Sequence, residues 1–195
     1  MRAGIGLRVK TGYASAIALR GPVDAPLFAE RAHVLLADLD DDDSRQPYHA
    51  ALDRGERVGA TVVARARKDA ERRAKDALET LVVSLARRRA RPRAVGLVVG
   101  SETDPESIAN PHIRAHALEG RFYRDILATA AKALGLEVLT LLERHAHVHA
   151  ARALELGQAR LRATVLSIGA AAGRPWRVDE RLATLAAWLA LAGER

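Results

Sequence analysis

The apolar positions of this chain change rhythm along its length. Residues 3–9 form a short apolar run, Lys10-Thr11-Gly12 carries turn chemistry, and residues 13–19 return with small and β-branched side chains. Gly21-Pro22 breaks the pattern, and a third strand is expected over about 29–37, centred on Val34, Leu35 and Leu36. An acidic run, Asp38-Leu39-Asp40-Asp41-Asp42-Asp43, ends this meander. Over about 47–91 the spacing becomes helical. Val63, Ala66, Ala70, Ala74, Ala77, Leu81 and Leu85 recur every three or four residues and draw one narrow apolar seam. Because the seam is mostly alanine, the helix can lie close against its partner. Gly55 and Gly59 interrupt its early part, and Pro92 is the expected stop.

Residues 94–99, AVGLVV, are continuously apolar, as in a strand covered on both faces. Asn110-Pro111 has the chemistry of an N-cap followed by a first helical position, opening a helix that closes at Gly135. The segment EVLTLL over 137–142 is a second buried strand. From His145 onward the pattern is helical, and 178–191 is apolar nearly all round, which marks a deeply packed helix or an interface. The order is therefore β-β-β-α-β-α-β-α. Two buried strands separated by helices imply right-handed parallel crossovers, and the leading three imply an antiparallel meander. The reading is an α/β fold with one mixed five-stranded sheet flanked by helices, in a single domain over 1–195.

Composition narrows the chemistry. The 195 residues contain no cysteine, which excludes disulfides, thiolate nucleophiles and cysteine-ligated metal clusters. No apolar signal segment opens the chain, and the most apolar stretch, 182–192, is too short to cross a bilayer, so a soluble cytoplasmic protein is expected. Lys and Arg outnumber Asp and Glu by 31 to 24. Between Arg65 and Arg93 there are eleven basic residues against four acidic ones, an excess equal to that of the whole chain. Part of this stripe is a solvated helix face with pairs such as Asp69–Arg73 and Glu71–Lys75. Arg87, Arg88, Arg89, Arg91 and Arg93 have no interleaved acid and are the sharper candidates for phosphate contacts. With aromatics at 4%, a stacking platform for single strands is not expected.

Smaller constellations carry less. His112 and His116 are four apart on one helix, and His145, His147 and His149 alternate after the last strand; either set can present imidazoles to Zn²⁺ or Ni²⁺, with Glu119 or Glu143 as a carboxylate partner. Exposed histidines on helices are equally ordinary. The acidic run 38–43 lacks the spacing and central glycine of a Ca²⁺ loop, and Ser167-Ile168-Gly169 is no nucleophile elbow. Gly169 and Gly173 mark close packing or a helix end, and Trp176 and Trp188 are core or interface anchors.

The element order, with the segment Gly4-Ile5-Gly6-Leu7-Arg8-Val9-Lys10-Thr11-Gly12-Tyr13, resembles the ribonuclease H-like superfamily and the opening of RuvC-type Holliday-junction resolvases, in which Gly-Ile-Asp leads through a turn to Thr-Gly-Tyr. Glu102 follows the fourth strand, where that family keeps a Glu. Asp179-Glu180 opens the last helix, where it keeps a metal-binding Asp. The resemblance implies a ribonuclease H-like fold, catalytic roles for Glu102, Asp179 and Glu180, and Mg²⁺ held by Glu102 and Asp179. Gly6 stands where the family has its first aspartate, and no acid occurs from Met1 to Val23. Actin-like ATPases share the strand order, but the turn here has neither their acid nor their second glycine. The expectation is a nucleic-acid-binding protein, for DNA or RNA, whose metal-dependent nuclease activity is degenerate or lost. Arg8, Lys10 and the arginines from Arg87 to Arg93 would meet phosphates. The alternative is a non-catalytic interaction or scaffold protein that uses the alanine-seamed helix and the last helix as a homodimer or partner interface.

Overall fold

A computed structural model describes residues 1–193. β1 (Arg2–Lys10) is the central strand of a five-stranded sheet in the order β3-β2-β1-β4-β5. It turns through Thr11 and Gly12 into antiparallel β2 (Tyr13–Arg20), and β3 (Leu27–Leu35) pairs antiparallel on β2's outer edge. The left-handed φ of +83° at Gly12 is what a tight hairpin requires. On the other side of β1 lie β4 (Arg91–Val99) and then β5 (Glu137–Leu142), both parallel to it. The mixed sheet and its meander-then-crossover order are those expected from the apolar pattern.

Two cores flank the sheet. Alternation sends Ile5, Leu7 and Val9 of β1, with Val95, Leu97 and Val99 of β4, to one face. Here they meet α3 (Glu56–Arg87) and α4 (Pro111–Ala133). The seam of α3 buries Ala66, Ala70, Ala74, Leu78, Leu81 and Leu85, so Leu78 occupies a place expected of Ala77, which is half-buried beside it. The helix expected over 47–91 is two, α2 (Pro47–Leu52) and α3, and a short α1 (Asp42–Arg45) precedes them, beginning inside the acidic run expected as loop. The end of α3 also comes earlier, at Arg87, where Arg89 turns left-handed with φ of +55° and the Ala90 N–H returns to the Leu85 carbonyl. Pro92 then sits within β4. Asn110 caps α4 as its residue type predicts, accepting from the Ile113 N–H at 3.1 Å.

The opposite face is covered by α7 (Val178–Ala192), supported by α5 (Ala146–Ala153) and α6 (Gln158–Ala172). α7 is buried on all sides from Leu182 to Leu191, and Trp188 donates its indole N–H to the Val23 carbonyl at 2.7 Å. It lies directly on glycines. A Cβ on Gly6 would stand 1.9 Å from the Ala183 carbonyl oxygen, one on Gly4 2.3 Å from that of Ala187, and one on Gly96 2.6 Å from that of Ala186. Backbone meets backbone here with no side chain between them. No helix among the described residues is long and apolar enough to cross a membrane.

Candidate functional site

Parallel strands β1 and β4 leave the sheet in different directions, β1 into a hairpin and β4 into the loop before α4. Ligands of open α/β sheets collect at such carboxyl ends. A cleft of about 250 Å³ opens there, lined by Lys10, Thr11, Ser101, Thr103 and His116, with Arg8 at its base.

Arg8 shares β1's α7-facing side with Gly4 and Gly6, two residues further toward the strand end. Its side chain is 5% exposed. The guanidinium donates to the Val9 carbonyl at 2.6 Å and forms a close ion pair with Glu143, just past β5. Its Nε stands 3.9 Å from an Asp179 carboxylate oxygen at the start of α7. Lys10 approaches the same oxygen at 3.5 Å. Two carboxylates from separate elements thus converge on two cations from β1. Sequence reasoning places Arg8 against phosphate, whereas its charge is committed inside the protein. It offers Glu143 only as a partner for histidines. No local signal links residues 8 and 143, since the pairing depends on the sheet.

The other acids are spread out. Glu180 accepts the Arg177 N–H at 2.8 Å and so satisfies the N-terminus of α7. Glu102 is exposed in the loop after β4, with no hydrogen-bond or ion-pair partner among the described residues. Nearby, Asp104 caps a one-turn 3₁₀ helix (Pro105–Ser107) and faces Arg121 at 3.6 Å. Glu102, Asp179 and Glu180 do not gather as a group of three; among the described residues, only His49, His112 and His116 bring three potential metal-ligand atoms of His, Asp or Glu within 4.8 Å of one another. A two-Mg²⁺ site needs carboxylates converging from several elements. Here β1 contributes guanidinium and ammonium instead, so these residues do not fit that group.

The arginine cluster lies at the other end of the sheet. β1 and β4 are in parallel register from Arg2 opposite Arg91 to Arg8 opposite Val98, so Arg87, Arg88, Arg89, Arg91 and Arg93 surround the strand starts. That rim is roughly 26 Å from the cleft, the rise of a strand as long as β4. All five are exposed, as is Arg2 beside them. Among the described residues none of these six guanidiniums joins an ion pair. The arginines in the middle of α3 differ: Arg72 and Arg73 bind Asp69 at 2.5 and 2.6 Å, and their proximity holds its carboxyl below the usual range against the opposing effect of burial.

No family model matches the sequence, and no curated protein does. Among solved structures, the chain is similar to Thermus thermophilus RuvC in complex with a Holliday junction substrate, at 12% identity and a TM-score of 0.56, with 96% of this chain and 91% of that one covered. Thermus thermophilus RuvC determined as a separate structure gives 12% identity and a TM-score of 0.53, covering 95% and 91%. At such identity the likeness establishes the fold, which is ribonuclease H-like.

Proposed function

We propose that this protein is a ribonuclease H-like, RuvC-like nucleic-acid-binding protein that has lost metal-dependent cleavage. The observation that carries the reading is the buried Arg8 guanidinium, which occupies Glu143 and approaches Asp179 at the strand-end site. A fixed cation there competes with a divalent ion for the carboxylates, and removing it would leave them uncompensated. The affinity itself is assigned to the rim of Arg2, Arg87, Arg88, Arg89, Arg91 and Arg93, which has no ion pair among the described residues. Guanidiniums without internal acids are free to neutralise phosphates and release counterions. Likeness to a protein solved on a Holliday junction makes a branched duplex the first substrate to try. Lys10, with the hydroxyls of Thr11, Ser101 and Thr103, would give the cleft a secondary backbone contact.

A scaffold role through α3 and α7 gains no support from the packing. The alanine seam of α3 is spent on the sheet and α4, and α7 is enclosed.

The test is fluorescence anisotropy of a labelled four-way junction and of linear duplex at several salt concentrations, with Mg²⁺ present. The same samples are then run on a denaturing gel. Binding is expected, with a steep negative dependence on salt, weakening in Arg88→Glu, and intact strands on the gel. Absence of binding at low salt overturns the nucleic-acid reading. Cleavage that disappears in Glu102→Gln or Asp179→Asn overturns the loss of chemistry.

A further inference from the structure

α2 and α4 meet beside the cleft mouth, and their contact brings together three imidazoles from two separate stretches of the sequence. His112 and His116 stand on one face of α4, and His49 of α2 packs against both, with ring centroids 4.5 and 4.1 Å away. Potential ligand nitrogens from all three lie within 4.8 Å of one another. Tetrahedral nitrogen ligands on Zn²⁺ stand about 3.3 Å apart. His112 and His116 are exposed, so their rings can rotate by the required ångström or so.

What distinguishes the group from a chance ring cluster lies behind it. Glu119, one further turn along α4, is fully buried. Its Oε1 accepts from the His49 backbone N–H at 3.2 Å and contacts His49 Nδ1 at 2.9 Å. This holds the ring, and in the tautomer whose Nδ1–H donates to the carboxylate, Nε2 carries the lone pair. Nε2 is buried without a hydrogen-bond partner. A buried acceptor with nothing to accept is costly. A carboxylate behind a histidine is also how proteins orient and strengthen a metal-binding imidazole.

We infer that His49, His112 and His116 form a three-histidine site for a divalent first-row transition ion of the Zn²⁺ type, with Glu119 as the positioning residue for His49. Three neutral nitrogens with no thiolate suit zinc, cobalt or nickel better than magnesium. Three protein ligands leave a fourth position open, and His116 also lines the cleft, so that position is accessible from it. The site is independent of Glu102, Asp179 and Glu180, and it does not depend on nucleic-acid binding.

Equilibrium dialysis and calorimetry of the chelator-stripped full chain with Zn²⁺ test the assignment, with Co²⁺ absorption as the probe of geometry. One equivalent is expected to bind, giving the intense d–d bands of tetrahedral cobalt. His112→Ala/His116→Ala should abolish this uptake, while His145→Ala/His149→Ala should leave it unchanged. Both pairs are exposed, so neither substitution threatens the fold. Glu119→Gln should weaken binding about tenfold to a hundredfold, with the thermal midpoint of the metal-free protein reporting any structural cost separately. Wild-type uptake no greater than that of the His112→Ala/His116→Ala protein overturns the proposal, as does an octahedral cobalt spectrum.

Discussion

Tyr123 shows how one buried side chain ties two parts of the chain together. Its phenol lies under α1 and α2 and donates to the Ser44 and Arg45 carbonyls, both at 2.8 Å. Burial chiefly, and the Glu119 carboxylate secondarily, hold its pKa far above the ordinary value of 10.0. The sign of the linkage follows directly. Above pH 10 the unfolded chain releases this proton and the native one keeps it, so stability falls as pH rises past 10. Denaturant titrations should show this loss in the wild type and a flatter alkaline limb in Tyr123→Phe, which near neutrality costs about 1 kcal/mol for the missing hydrogen bonding. Arg8 is another case of a residue whose role depends on distant partners. As a strand residue it is legible, but its commitment to Glu143 and Asp179 is set by elements 135 and more positions away.

The seating of α7 on β1 and β4 belongs to the scale of elements. Gly6→Ala forces a methyl group into the Ala183 and Ala187 backbone, and neither α7 nor the central strand can yield alone. Overpacking where two backbones touch should cost about 3 kcal/mol, read as a lower denaturation midpoint. For the same reason Gly6→Asp should destabilise the protein and confer no cleavage. These glycines also mark the limit of sequence reading. The bounds of strand β5 are legible to the residue, and those of α4 nearly so, because an apolar run and an Asn-Pro cap are local signals; the expected burial of β5 is not met, since it is the sheet's edge and only Leu141 is buried. The seam of α3 is legible from periodicity. Gly6 is not: an absent side chain makes sense only beside the helix that fills its space, which comes from the far end of the chain. His49 is similar, since the four-residue spacing of His112 and His116 is visible and their third partner joins only through the packing of α2.

For the whole molecule, the decisive feature is its polarity along the strand direction. Arginines with no ion pair among the described residues crowd the strand starts, while at the strand ends Arg8 and Lys10 are paired with acids. Under the proposed function, nucleic-acid affinity should therefore respond unequally to substitutions at the two ends. Replacing Arg87, Arg88 and Arg89 together by alanine should make the slope of log K against log salt shallower by about 2 to 3, close to one for each phosphate no longer neutralised. Lys10→Ala should change it by about 1 or less. Equal responses would place the phosphate-binding surface elsewhere. All four side chains reach solvent, so the comparison can be made without disturbing either core.

The seating of α7 also has a consequence for the order in which the molecule can be completed. During synthesis all five strands are made before residue 178. Until then Gly4, Gly6 and Gly96 have no cover, and Ile17, Leu19 and Val98 lack the helix they pack against, with only α5 and α6 available on that side. The α3 side has no such delay, because both of its helices and β4 have already been made. Vectorial folding would therefore finish in one late docking event, the seating of α7 on the glycines of β1 and β4.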